Sequence, residues 1–222
     1  MEPDSGARVN DRRHGVCWRG PARAARLGPV ASSATFTFQV ELQHNYQPKM
    51  QGKIVIGQIE YETLEHVVLK FLGWCVFYHE RLAIEKKIDD LFEPDLVLQG
   101  YDGTVHLWVE CGKVSIHKLN KLTKRYPGSR IYVLLASERD ARQMAEQIRK
   151  KVDKPAAIRL VAFTEDVVGT FLPTLMNKNE VWCNLSWPEN IEDAVAADVM
   201  EMEMTMNGSW IHCPLSVTKM AG

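Results

Sequence analysis

Asp95 and Glu110 stand on either side of the dipeptide Asp102-Gly103, at a spacing that would let two carboxylates act on one ligand. The flanking runs are Glu93-Pro94-Asp95-Leu96-Val97-Leu98-Gln99-Gly100 and Thr104-Val105-His106-Leu107-Trp108-Val109-Glu110. Asp-Gly between two apolar runs is a strong signal for a β-hairpin. With Asp102 and Gly103 as the two turn residues, Asp95 falls directly opposite Glu110, with Cβ atoms roughly 5 Å apart. Leu96, Leu98, Leu107 and Val109 then share one face, expected to be core. Asp95, Gln99, His106 and Glu110 share the other with Val97 and Trp108. Opposed like charges destabilise a sheet, and burial raises the cost. The pair therefore calls for a cation, and a divalent metal ion is the natural one. The plainer alternative is that both acids mark strand ends and stay solvated; Pro94 suits a strand start under either reading.

Three further residues are candidates to complete a metal and phosphate site. Glu65 has Val68, Leu69, Leu72 and Val76 on its helical stripe, which predicts an inward-facing carboxylate in need of a partner; a first-turn helix-dipole role is the alternative. Lys118 is expected in the first turn of a helix that follows Glu110, and Lys113 in the loop between. These lysines belong to a basic run with His117, Lys121, Lys124 and Arg125 that could equally be a solvated face. A basic helix N-terminus beside two acids suits a phosphate next to a metal, and of the two lysines the one on the helix is expected to approach the acids.

The elements that must position these residues can be read from periodicity. Thr35 to Leu42 alternates as a half-buried strand, and Ile54-Val55-Ile56 reads as a second. From Glu60 to about His79 apolar residues occur at helical spacing around most of the circumference, which predicts a largely buried helix. A short strand near Leu82-Ala83-Ile84 precedes the hairpin. Ser115 is a natural N-cap for a helix bearing Ile116, Leu119 and Leu122, ended by Pro127-Gly128. Arg130 to Leu135 reads as a buried strand, Glu138 to Val152 as an amphipathic helix, Ile158 to Phe163 as a strand and Glu165 to about Met176 as a helix. Asn207-Gly208 marks a second hairpin, between Val199–Met204 and Trp210–Cys213.

The 222 residues, 45% hydrophobic, suffice for one good core. No stretch reaches the roughly 18 uninterrupted apolar residues of a membrane span. The five cysteines are unclustered and odd in number, which points away from a disulfide framework or a zinc site and towards a reducing cytoplasm. Residues 1–33 are rich in Arg, Ala, Gly and Pro without hydrophobic period, and read as a disordered extension or the product of a start placed too far upstream. Without them the chain holds 21 basic and 25 acidic residues, a net charge of about −4 that suits no general polyanion binder. A single domain is expected over 34–216, with a tail at 217–222. Gly-rich phosphate loops, Ser/His/Asp triad order and dinucleotide fingerprints are absent.

The order helix, hairpin with two acids, lysine helix, strand resembles the αβββαβ core of the PD-(D/E)xK nuclease superfamily, and within it the chain resembles the YaeQ family. The residues that carry the likeness are Ala34-Thr35-Phe36, Glu62-Thr63-Leu64-Glu65 through Leu72-Gly73-Trp74, Pro94-Asp95, Leu107 to Gly112, and Ile116-His117-Lys118. The resemblance implies an α/β fold of the restriction-endonuclease-like kind, with a central mixed sheet flanked by helices, plus N-terminal strands and a C-terminal hairpin. It implies Glu65 as the helix acid, Asp95 as the motif Asp and Glu110 as the motif Glu, together holding Mg²⁺, with Mn²⁺ as a substitute. The motif lysine should stand two residues after Glu110, but that position is Gly112; Lys118, or failing it Lys113, would take its place. The expected activity is Mg²⁺-dependent hydrolysis of nucleic acid. The competing expectations are a non-catalytic binding or regulatory protein that keeps the fold, and a small-molecule phosphohydrolase using the same site.

Overall fold

A ten-stranded mixed sheet, built from both ends of the chain, carries the molecule. The computed structural model describes residues 34–187 and 200–220; the N-terminal segment expected to be disordered lies outside the described residues. Strands β1 (Thr35–His44) and β2 (Gln47–Gly57) form an antiparallel hairpin. Its turn residues Asn45 and Tyr46 take φ of 49° and 59°, the left-handed values of a tight hairpin turn that matches strand twist. Phe36, Phe38, Val40 and Leu42 alternate inward, as their spacing requires.

Helix α1 (Leu64–Val76) starts at Thr63, whose side chain accepts from His66 N, and every residue from Val67 to Val76 is buried. It is followed by β3 (Ala83–Ile84), β4 (Leu96–Gln99), β5 (Val105–Cys111), α2 (Ile116–Arg125) and β6 (Arg130–Leu135). The chain continues through α3 (Glu138–Lys151), β7 (Ile158–Phe163), the short α4 (Val167–Phe171), β8 (Lys178–Ser186), β9 (Glu201–Met206) and β10 (Ser209–Lys219). The strand order is β2-β1-β8-β9-β10-β7-β6-β5-β4-β3, with β1/β8, β5/β6 and β6/β7 parallel.

Two clusters fill the two sides of the β3–β7 half of the sheet. One packs α1 on Leu96, Leu98, Leu107, Val109 and Cys111. The other packs Leu119 and Leu122 of α2, with Met144 and Ile148 of α3, on Val97, Val105, Trp108, Ile131 and Val133. The hairpin face expected to hold the carboxylates, with Val97 and Trp108, is thus a second core, because helices cover both sides of these strands. Gly73 lets α1 sit close: a Cβ there would lie 3.0 Å from Cys111 Sγ and Leu96 Cδ1.

Several boundaries depart from the sequence pattern. The helix expected from Glu165 to Met176 ends at Phe171 and passes into a 3₁₀ turn over Leu172–Thr174, because Pro173 cannot continue the α-helical hydrogen bonds. Strand β8 was not anticipated. β10 runs past residue 216, the expected domain end, with Val217, Thr218 and Lys219 still paired to β7.

Candidate functional site

Leu96, Val97 and Leu98 pair with Val109, Trp108 and Leu107, the register that places Asp95 across from Glu110, one position beyond the last ladder pair. The register slips by one at Gln99, which pairs with Val105. The turn is accordingly longer than two residues: Gly103 N donates to Gly100 O, Gly100 N donates to Thr104 O, and Gly103 adopts φ 81°, a turn closed by a left-handed glycine. The slip leaves His106 out of the ladder and exposed.

Glu110 is the more buried acid, its side chain 7% exposed. Trp108 Nε1 donates to its Oε1 at 2.7 Å, and Lys118 Nζ lies 2.7 Å from Oε2 and 2.6 Å from Oε1. Burial raises the Glu110 pKa above the usual carboxylate range; Lys118 and Trp108 pull it down, and the Asp95 charge pushes it up again. Lys118 is delivered by α2, whose N-cap Ser115 accepts from Lys118 N at 3.1 Å. The ammonium also reaches the Glu93 carbonyl at 3.5 Å, just ahead of Asp95. Lys113 goes elsewhere, to Asp140 at 3.1 Å.

The Asp95 carboxylate turns towards α1. Its Oδ2 accepts from Cys111 N at 2.6 Å and lies 3.4 Å from His66 Nε2. His66 Nδ1 lies 2.8 Å from Glu62 Oε1, and that oxygen lies 2.6 Å from Lys70 Nζ. Lys70, fully buried, also pairs with Glu85. The contacts of His66 and of Glu62 Oε1 are close without good hydrogen-bond alignment. The Asp95 contact raises the His66 pKa against the opposing effect of burial. For Lys70, burial pulls the pKa down, and Glu62 and Glu85 outweigh it.

The inward acid here is therefore Glu62, just ahead of the Thr63 N-cap and with its side chain 1% exposed. Glu65, expected to face the interior, is exposed, because the apolar stripe beyond it begins one turn later. It lines an open cleft of about 610 Å³ with His66, Gly112, Lys113, Asp140 and Asp166. Residue-by-residue reading missed Glu62, His66 and Lys70. Their signal was a polar stripe at i, i+4 and i+8 along an otherwise apolar helix.

Gly112 stands where the resemblance to the nuclease superfamily would expect a lysine. It ends β5 at φ 85°, with its N–H on Leu134 O at 2.7 Å, and a lysine there would be strained. A cation can reach Glu110 from α2 instead.

Among the described residues no three His, Cys, Asp or Glu side chains form a group that could hold a metal ion. Mg²⁺ does not need one: it is commonly held by one or two carboxylates, with water and substrate phosphate completing the shell. The oxygen donors of Asp95 and Glu110 fit such an ion by chemical type.

The geometry defines a mixed α/β protein with an acid pair and a lysine at the ends of two neighbouring strands. A family model, YaeQ protein, matches residues 32–191, and the chain belongs to the YaeQ family. Its fold is similar to the crystal structure of YaeQ from Xanthomonas axonopodis pv. citri, with TM-score 0.63, 15% identity, and coverage of 86% of this chain and 100% of that one. It is likewise similar to YaeQ from Pseudomonas syringae, with TM-score 0.62, 19% identity, and coverage of 85% and 97%. No curated protein matches the chain significantly. Among the described residues no helix is long and apolar enough to cross a membrane.

Proposed function

We propose that the chain is a metal-dependent phosphodiester hydrolase of the PD-(D/E)xK type acting on nucleic acid, with Asp95 and Glu110 as its acids and Lys118 as its displaced lysine. The observation that carries this reading is the Lys118 ammonium bound to both oxygens of Glu110 at the end of the strand pair that also presents Asp95. The succession α1-β3-β4-β5-α2-β6 supports it, since it repeats the αβββαβ order. A bound Mg²⁺ or Mn²⁺ would supply the activated water and the charge neutralisation at phosphorus.

The chain's own residues prepare the site. Cys111 N–H and His66 hold the Asp95 carboxylate, Trp108 fixes one Glu110 oxygen, and Lys118 brings positive charge to where phosphate charge would develop. Glu65 and Lys113 flank the adjoining cleft and are placed to act through water or on the substrate. Cys75, Cys111, Cys183 and Cys213 are all free and buried, which supports a reducing compartment such as the cytoplasm.

A second reading is a non-catalytic binding or regulatory protein that keeps this fold. It is favoured by the closure of Glu110, which is nearly inaccessible and has both oxygens taken by protein donors. Incubation of the purified protein with single- and double-stranded DNA and RNA in Mg²⁺ or Mn²⁺ separates the two. Cleavage by the wild type that disappears in Asp95→Asn and Glu110→Gln supports the hydrolase; no cleavage of any substrate supports the second reading.

A further inference from the structure

At the far end of α1 from Asp95, about 20 Å along a 13-residue helix, the core opens into a second cavity of about 220 Å³. Its walls are largely apolar and come from α1 and from strands of both halves of the sheet: Leu42 of β1, Phe77 at the end of α1, Leu107 of β5, and Leu185 and Trp187 at and beyond the end of β8. Its basic side chains are Lys49, Arg130, His44 and His79, beside the neutral polar groups of Gln43 and Tyr78, and among the described residues no Asp or Glu lines it.

Two of these groups can offer a ring N–H to an acceptor, His44 when it is protonated at Nε2. His44 Nε2 is buried and has no hydrogen-bond partner among the described residues, an arrangement that calls for an occupant. His79 Nδ1 accepts from Arg81 N at 3.1 Å, so Nε2 of the neutral ring carries the proton and is a donor. Lys49 makes no ion pair among the described residues and adds a full positive charge. Arg130 donates to the His106 carbonyl at 3.4 Å and contributes charge from the start of β6.

We infer that this cavity is a binding site for a small amphipathic anion, a short-chain aliphatic carboxylate, with its tail against Leu107, Leu185 and Trp187 and its carboxylate towards His44 and Lys49. An apolar pocket with a few convergent polar groups is the usual form of a small-ligand site, and the basic side chains on this lining favour an anionic head over an amine. The site shares none of its lining with the acid pair, so it stands or falls independently of the hydrolase reading.

The test is calorimetric titration of the full chain with hexanoate, hexan-1-ol and hexylamine, which share one tail. Hexanoate is expected to bind saturably and about tenfold more tightly than either analogue, the worth of one charge-assisted hydrogen bond. Lys49→Met, a change at an exposed position, should weaken hexanoate by a similar factor while leaving hexan-1-ol unchanged. Leu107→Trp should abolish binding by filling the cavity, and the Trp187 indole N–H resonance should shift on hexanoate addition in the wild type. The inference is overturned if hexanoate gives no saturable heat up to about 10 mM, if the three ligands bind alike, or if the Trp187 signal does not move.

Discussion

Lys118 Nζ lies 2.7 Å from Oε2 and 2.6 Å from Oε1 of Glu110, a residue eight positions earlier in the chain. The pair ties the first turn of α2 to the end of β5. Because Glu110 is buried, the lysine is its main electrostatic support.

Removing the lysine alone should therefore cost more than removing both partners. Lys118→Met is expected to destabilise the fold by about 1–3 kcal/mol, since it leaves a buried carboxylate without its cation. Glu110→Gln combined with Lys118→Met should recover much of that loss. Urea unfolding of the single and double variants measures both; a double variant less stable than Lys118→Met alone would contradict the assignment.

Lys70 makes the stronger case for a buried charge. With Glu62 and Glu85 both paired to a fully buried ammonium, Lys70→Met should cost about 3–5 kcal/mol, and denaturant midpoints report it directly. A loss of only a few tenths of a kcal/mol, from midpoint and slope together, would mean that the three groups are solvated.

His66 sets a pH dependence whose sign follows from its raised pKa. The folded state binds the proton more tightly than the unfolded state, so its contribution is full below the ordinary imidazole pKa of about 6.5 and is lost as pH rises through the folded-state value. The stability gap between wild type and His66→Gln should be widest in that acidic range and close on the alkaline side. In Asp95→Asn the His66 pKa, followed by NMR, should fall, since Asp95 is the main cause of its elevation.

Gly73 tests the close seating of α1. Gly73→Ala places a methyl 3.0 Å from Cys111 Sγ and Leu96 Cδ1 and 3.2 Å from Leu134 Cδ2, which should lower stability by about 1–3 kcal/mol despite alanine's better helix propensity. Thermal unfolding of the two proteins compares them; a Gly73→Ala protein as stable as wild type would show that the seam has slack.

Much of the frame was legible because its signals are local. Ser115 caps α2 at the expected residue, and Asn207-Gly208 turns β9 into β10 as its dipeptide predicts. The hairpin register near the acids matches the one a two-residue Asp102-Gly103 turn would set, although the turn is longer, because the slip at Gln99 lies between the turn and the pairs at Leu96 to Leu98. What stayed hidden depends on distant partners. β8 pairs in parallel with β1 across more than a hundred residues, and nothing within Lys178–Ser186 announces that neighbour. Glu65 reads as the inward acid only when the helical stripe is extended one turn too far; the interior accepts Glu62 because His66 and Lys70 stand beside it. A lysine in an apolar helix reads as a solvent-facing residue until its acids are placed in space.

The most direct test of the hydrolase reading is calorimetric titration of Mg²⁺ and Mn²⁺ into the wild type, Asp95→Asn and Glu110→Gln. The account predicts saturable binding in the millimolar range or tighter for the wild type, lost in both variants because each supplies a carboxylate to the ion. Absence of metal binding by the wild type at millimolar concentration, or binding that survives both substitutions, would contradict it.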